Sequence, residues 1–379
     1  MLAPTPDYDV LIIGGGLAGL TAALDLAGRG HRVALVEKQQ YPFHKVCGEY
    51  ISNEVLPYLA RLGASPDALR PARIQRFLVS APGGRTLTAP LDLGGFGVSR
   101  YTLDEFLYRR AEALGVTFFL KTTVASAPFD AATNSFHVQL TGHAAPLTAR
   151  VVLGAYGKRA TLDRQLNRGF FRQRSPYVGV KYHLRLDFPT DLIALHNFAD
   201  GYAGLSAIEN GRYCFCYLTT REQLRRHGTI PALETEVLSQ NPHLRRVLRE
   251  AERLYTQPEV INEISFAPKT CVEQHILMCG DAAGLITPLC GNGMAMAIHG
   301  AAVAAHHTDA FLKGHLTRTE LEAAYTHDWN RLFAARLRVG RWVQNLFGGP
   351  RLTNAVVGTM RHTPSLVQAL MRRTHGVPF

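Results

Sequence analysis

The stretch Tyr8–Gly19, YDVLIIGGGLAG, decides the fold. Its first half is a short β-branched and apolar run of the kind that forms a buried parallel strand. Gly14, Gly16 and Gly19 then follow with G-x-G-x-x-G spacing, and LAGLTAALDLAGRG reads as a helix ending at Gly28 or Gly30. RVALVE is a second strand that closes on an acid, Glu37. Each part has a physical task. The first glycine permits a tight turn, the second lets a pyrophosphate approach the backbone, and the third lets helix and strand pack closely. The helix N-terminus, with Ala18 in its first turn, faces the phosphates. Glu37 can accept hydrogen bonds from ribose hydroxyls, which favours FAD or NAD over a 2′-phosphorylated dinucleotide.

Composition sets the surroundings of this unit. The chain has 379 residues, 46% hydrophobic and 19% charged, enough for a large core and two lobes. No run of 18 apolar residues suggests a membrane span, and the N-terminus lacks a signal-peptide pattern. The six cysteines form no compact disulfide framework, so a cytoplasmic protein is expected. Net charge is +11, and from Trp329 to Phe379 there are eight arginines and no acidic residue. That tail reads as a solvated helical face, or as a surface attracted to anionic lipid or a polyanionic substrate, which would make the protein membrane-peripheral. No nucleic-acid motif accompanies the charge. Cys214 and Cys216 have no partner pair at metal-ligand spacing, so no metal site is expected and packing is their reading.

The choice of dinucleotide rests on HILMCGDAAGLITPLCGNGMAMAIHGAAVAA, beginning at His275. ILMCGDAAG is a strand running into Gly280-Asp281, and a small-residue helix begins near Gly291. This G-D-A-A-G-x-x-x-P-x-x-G-x-G-M pattern resembles the second flavin motif of FAD-dependent oxidoreductases of the glutathione reductase type. Within that group it is most similar to the para-hydroxybenzoate hydroxylase and geranylgeranyl reductase families. The resemblance implies that Asp281 holds the ribityl chain. It also implies that Pro288, Gly291, Asn292 and Gly293 lie at the turn against the isoalloxazine, where a helix dipole stabilises reduced flavin. Arg100, ahead of an amphipathic helix, would reach the FAD pyrophosphate, and the Val124 backbone would meet the adenine. Tyr156 stands where these families place an aspartate.

The implied architecture is α/β: a discontinuous Rossmann-type FAD-binding domain with an inserted β-sheet substrate domain and a helical C-terminal extension. The FAD-binding domain takes residues 1–75, 98–165 and 265–325. The substrate-side sheet takes 76–97, expected as a hairpin, and 166–264. A basic helical extension, interrupted at FGGPR, takes 326–379. VTFFLKTTVASA, from Val116, reads as one strand. No second strand–glycine–helix unit is present, so NAD(P)H would visit the flavin transiently, or a protein donor would supply electrons.

The loop YPFHKVCGEYIS, Tyr41 to Ser52, is similar to the Lys-x-Cys-Gly-Glu loop of geranylgeranyl reductase-like proteins. Lys45 and Gly48 would then contact FAD, and Cys47 and Cys290 would converge on one face of the ring. A thiol there is expected to be acidified by the helix terminus and to donate a proton or form a disulfide. Three functions follow from the resemblance. The first is reduction of a double bond in a hydrophobic or lipid-like substrate, with Cys47 as acid. The second is NAD(P)H-dependent monooxygenation, and the third is redox sensing through Cys47 and Cys290. The reductase pattern Pro-x-x-Tyr-x-Trp is only partly kept, with Tyr202 in place and Gly204 at the tryptophan position. The halogenase Trp-x-Trp element is absent, since the only tryptophans are Trp329 and Trp342.

Overall fold

The computed structural model describes residues 5–173, 175–287, 291–346, 353–354, 357–359 and 376–379. The opening strand β1 (Tyr8–Ile13) turns through the glycines into α1 (Leu17–Gly28) and returns as β2 (Val33–Val36). After the Cys47 loop come β3 (Tyr50–Ser52), α2 (Leu56–Arg61) and a hairpin of β4 (Ala72–Ser80) and β5 (Thr86–Gly97). Helix α3 (Arg100–Ala113), capped by the Ser99 hydroxyl, leads into β6 (Thr117–Phe119) and β7 (Val124–Ser126). The single strand expected over Val116–Ala127 is thus two, broken where Lys121 takes a left-handed φ of 52°. A meander of β8 (Phe129–Asp130), β9 (Ser135–Leu140) and β10 (Leu147–Gly154) then precedes α4 (Thr161–Gln165).

The middle of the chain supplies β11 (Tyr177–Arg185), β12 (Leu192–Phe198), β13 (Gly201–Ala207) and β14 (Tyr213–Thr220). Helices α5 (Arg221–His227), α6 (Ile230–Glu236) and α7 (Pro242–Glu250) follow, then β15 (Glu252–Arg253) and β16 (Glu259–Ile264). The chain returns to the first lobe as β17 (Val272–Glu273), β18 (Ile276–Met278) and the long α8 (Gly293–Leu312). It continues through α9 (Arg318–Trp329), a π-helical turn over Asn330–Ala334 and α10 (Ala335–Leu346). The FGGPR interruption expected at Phe347 lies outside the described residues. Among the described residues, no helix is long and apolar enough to cross a membrane.

Two sheets result. The first has strand order β17-β18-β10-β1-β2-β6, with β18, β10, β1, β2 and β6 all parallel. Its central strands are buried on both faces, which is why Val10–Ile13 and Val151–Leu153 read as unbroken apolar runs. Small residues bring the ends of α1 and α8 together: a Cβ on Gly280 would stand 3.2 Å from the Ala18 Cβ and 3.4 Å from the Ala297 Cβ.

The second sheet runs β15-β11-β14-β13-β12-β4-β5-β3, with β16 also on β11. Strand β3 belongs here, paired to Gly95–Gly97, although the sequence reading left it in the loop beside the flavin. Period-two alternation divides the faces. Val178, Val180, Tyr182, Phe215 and Tyr217 pack with Leu233, Leu238 and Leu244 of the helical layer. The alternate residues face the first lobe. In register across that face lie Val79, Leu195, Gly204, Cys216 and Lys181, and beside them Tyr202, Leu218, Gly179 and Ile261.

Candidate functional site

Between the sheets lies a cavity of about 1090 Å³, at the upper end of what small-molecule and cofactor sites occupy. One end is built from the glycine turns of the first lobe and the other from the apolar face of the second sheet.

At the first end, Gly14 has φ of +104°, and a Cβ there would fall 2.6 Å from the Ala155 carbonyl oxygen. A Cβ on Gly19 would stand 1.9 Å from the Gly14 carbonyl oxygen, so helix and strand touch backbone to backbone. Gly16 differs. A Cβ there would enter the cavity, with Arg100 Nη2 at 3.9 Å and Lys45 Nζ at 4.0 Å as its nearest neighbours. Gly16 is also the N-cap of α1 and offers no side chain to the first amides. Arg100 Nε and Nη2 each donate to Asp104 at 2.8 Å, and Lys45 Nζ donates to the same carboxylate at 2.9 Å. Two cations share one anion, which leaves excess positive charge beside an open helix N-terminus. That niche fits a pyrophosphate.

The remaining dinucleotide residues line the same cavity: Glu37, Gly48, Val124, Asp281, Gly291, Asn292 and Gly293. The Glu37 carboxylate accepts from the Gly15 amide at 2.8 Å and the Gln39 amide at 3.0 Å, so it braces the glycine turn. Burial raises the Asp281 carboxyl, against Lys269, Arg100 and Lys158. A hydroxyl-bearing ligand that donated to it would offset that burial, which is the contact expected of the ribityl chain. Gly291, with φ of +63°, and Gly293 open the N-terminus of α8 towards the cavity, and Asn292 gives it no side-chain cap. Pro288 and Cys290, expected beside the ring, lie outside the described residues. If the carboxylate holds FAD, Asp281→Ala should weaken FAD retention about 10- to 150-fold, the loss of one charge-assisted hydrogen bond of roughly 1.5–3 kcal/mol. Flavin released on dilution measures it, and unchanged retention would exclude the contact.

Cys47 lines the cavity, but its chemistry differs from the expectation. Burial pushes the thiol up rather than down, with the Arg100 guanidinium opposing the rise. At rest it is a protonated thiol. Its described sulfur neighbours are on β14: Cys214 Sγ donates to the Cys47 carbonyl at 3.2 Å, and Cys216 lines the same cavity. Among the described residues, no group of three or more His, Cys, Asp or Glu is arranged to hold a metal ion.

Sequence reasoning missed the group that holds this loop. Glu49, with φ of 55°, is fully buried. It accepts from Lys181 Nζ at 2.5 Å, from His183 Nε2 at 2.6 Å and from the Arg100 amide at 2.8 Å. Lys181 Nζ also donates to the Lys45 carbonyl at 3.0 Å. The loop is therefore clamped at both ends to β11. Asp104 was also missed, although its i,i+4 spacing from Arg100 on a helix was the available signal. Tyr156, in the place of the family's aspartate, donates through its hydroxyl to Asp163 at 2.8 Å. Asp163 itself pairs with the buried Arg168 at 3.0 Å.

Comparison with known proteins agrees with this geometry. The family described as "FAD binding domain" matches residues 7–337. A geranylgeranyl diphosphate reductase of Rhodobacter capsulatus is 27% identical over 322 residues, covering 81% of this chain and 76% of its own. A kynurenine 3-monooxygenase of Salinispora arenicola is 28% identical over 353 residues, covering 83% and 75%. Conditioned medium factor receptor 1 of Dictyostelium discoideum is 24% identical over 339 residues; the match covers 78% of this chain but only 62% of that protein's length. Among solved structures, the flavin-dependent brominase Bmp2 superposes with a TM-score of 0.77 at 18% identity, covering 97% of this chain and 93% of its own. That last likeness speaks for the fold alone.

Proposed function

We propose that this chain, which belongs to the FAD binding domain family, reduces a carbon–carbon double bond in an uncharged, hydrophobic substrate. The family and its enzymes make FAD the cofactor and oxidation–reduction the chemistry. FAD held there, once reduced, would supply the hydride for one carbon of the double bond. The observation that carries the finer reading is that Cys47 lines a cavity whose far end is apolar, where burial favours the neutral thiol. A proton from Cys47 Sγ to the second carbon completes the addition. Arg100, already beside the sulfur, stabilises the thiolate left behind until solvent reprotonates it.

The sheet face supports a substrate class. Phe77, Val79, Ile193, Leu195, Leu218 and Ile261 line it, and its one lysine, Lys181, is neutralised by Glu49. Among the described residues of that face a substrate carboxylate would find no unpaired cation, whereas an isoprenoid or another lipid-like chain would be desolvated without loss. NAD(P)H, or a protein donor, would reduce the flavin.

Oxygen distinguishes this reading from the monooxygenase one. With the flavin reduced anaerobically, an unsaturated hydrophobic substrate should reoxidise it without oxygen. Reoxidation only when oxygen is admitted, with an oxygenated product, would establish the alternative. In the same assay Cys47→Ala should keep FAD and lose turnover about 100-fold or more, the scale of general acid catalysis. Turnover within a few-fold of wild type would remove Cys47 from the mechanism.

A further inference from the structure

We infer that α10 is a docking face for an anionic lipid membrane. The helix has two unlike sides. Phe333 in the preceding turn and Leu337 on α10 point inward, 1% and 8% exposed. Val339 packs with Tyr202, Leu218 and Ile264 at the apolar end of the cavity, and the Gly340 carbonyl accepts from the Thr287 hydroxyl at 3.1 Å. The outward positions Arg331, Ala335, Arg338 and Trp342 are all exposed and recur at i, i+4, i+7 and i+11, a single stripe. Arg341 borders it.

Two features make that stripe unlike an ordinary solvated face. Trp342 is 57% exposed, whereas Trp329 is 6% exposed. Indole rings are favoured at the level of lipid headgroups, where an apolar body and a polar N–H are both accommodated. The charge is also one-sided. Arg331 pairs with Asp328 and Arg336 turns inward to Glu54, but among the described residues no carboxylate pairs with Arg338 or Arg341. No acidic residue occurs between Trp329 and Phe379 to balance them. A basic stripe with an exposed tryptophan complements an anionic headgroup layer, and among the described residues no helix is long and apolar enough to cross a membrane. The tryptophan favours a membrane over a soluble polyanion, which would be met by arginine alone. Because its inner side packs against the apolar end of the cavity, the docked helix would hold that end close to the bilayer.

This inference does not rest on the proposed reaction, and its test needs no turnover. The FAD-loaded full chain is sedimented with vesicles of phosphatidylcholine alone and of phosphatidylcholine with phosphatidylglycerol, at low and high salt, while tryptophan emission is recorded. The expected result is co-sedimentation with the anionic vesicles only, reversed by salt, with a blue shift of emission. Trp342→Phe should abolish the shift, since Trp329 is already buried. The variant R338Q/R341Q should bind roughly thirtyfold more weakly, from about 1 kcal/mol per basic residue at the surface, with flavin content unchanged. The inference is overturned by any of four results. These are no binding to anionic vesicles, equal binding to neutral ones, binding unaffected in R338Q/R341Q, or binding to heparin but not to vesicles.

Discussion

Gly16→Val should fold and purify without its yellow colour, retaining less than about a tenth of the wild-type flavin. The expectation separates Gly16 from its two neighbours in the motif. A side chain at Gly14 or Gly19 would strike backbone within 2.6 or 1.9 Å, so those variants should lose the fold itself. At Gly16 the nearest described side chains to the new Cβ are Arg100 at 3.9 Å and Lys45 at 4.0 Å, so valine can be accommodated in the flavin-free protein. Its γ carbons would instead occupy the space between the α1 amides and the Arg100 and Lys45 cations, where a pyrophosphate must approach. Flavin absorbance and far-UV circular dichroism, taken together, check both halves. Full flavin occupancy in a folded Gly16→Val would mean that the dinucleotide does not use this turn.

The parts of the fold that could be read in advance are those in which cause and effect are close in sequence. A buried strand, a glycine turn and a helix are specified within twenty residues, so Gly14, Gly16, Gly19 and Glu37 could be located without the structure. The second flavin turn was recognisable for the same reason. What escaped was long-range. Three residues, Tyr50–Ser52, carry too little pattern to reveal that they pair with Gly95–Gly97 in the other sheet. Glu49 meets partners 132 and 134 residues away on β11, and neither a lysine nor a histidine on an alternating strand announces that it will be buried.

The cysteines show how far local inference extends. Resemblance suggested that Cys47 faces the flavin, and the cavity does include it. Proximity to a helix terminus predicts an acidified thiol, but desolvation outweighs the Arg100 guanidinium, so the direction is reversed. Cys214 and Cys216 were read as packing residues of a strand. They do pack there, yet the strand lies directly under the Cys47 loop. Tyr156 lines the cavity, and its hydroxyl donates to Asp163, a buried carboxylate that pairs with Arg168.

The second large effect is expected at Glu49. Glu49→Gln keeps the shape and most hydrogen bonds but leaves Lys181, fully buried, without its counter-charge. Removing one partner of a buried ion pair costs about 3–5 kcal/mol. Burial raises the Glu49 carboxyl, but Lys181 and His183 outweigh it and hold the group at about 2, below its ordinary value of 4.5. Since the folded value is depressed, this stabilisation is fully present above pH 4.5 and is lost as pH falls towards 2. Lys181 is displaced the other way, above 10.5, so its share is complete below that pH and disappears only as pH rises through the folded value. Wild type and Glu49→Gln should therefore differ from about pH 5 to neutrality and converge as pH falls towards 2. Denaturant unfolding across that range measures the difference. Lys181→Met alone should be as costly, because it strands the carboxylate, whereas Glu49→Gln/Lys181→Met should recover part of the loss. If the clamp also positions Cys47, the double variant should regain stability without regaining turnover, a split that a purely structural ion pair would not produce. Equal stability of Glu49→Gln and wild type at neutral pH would show that the clamp carries no weight.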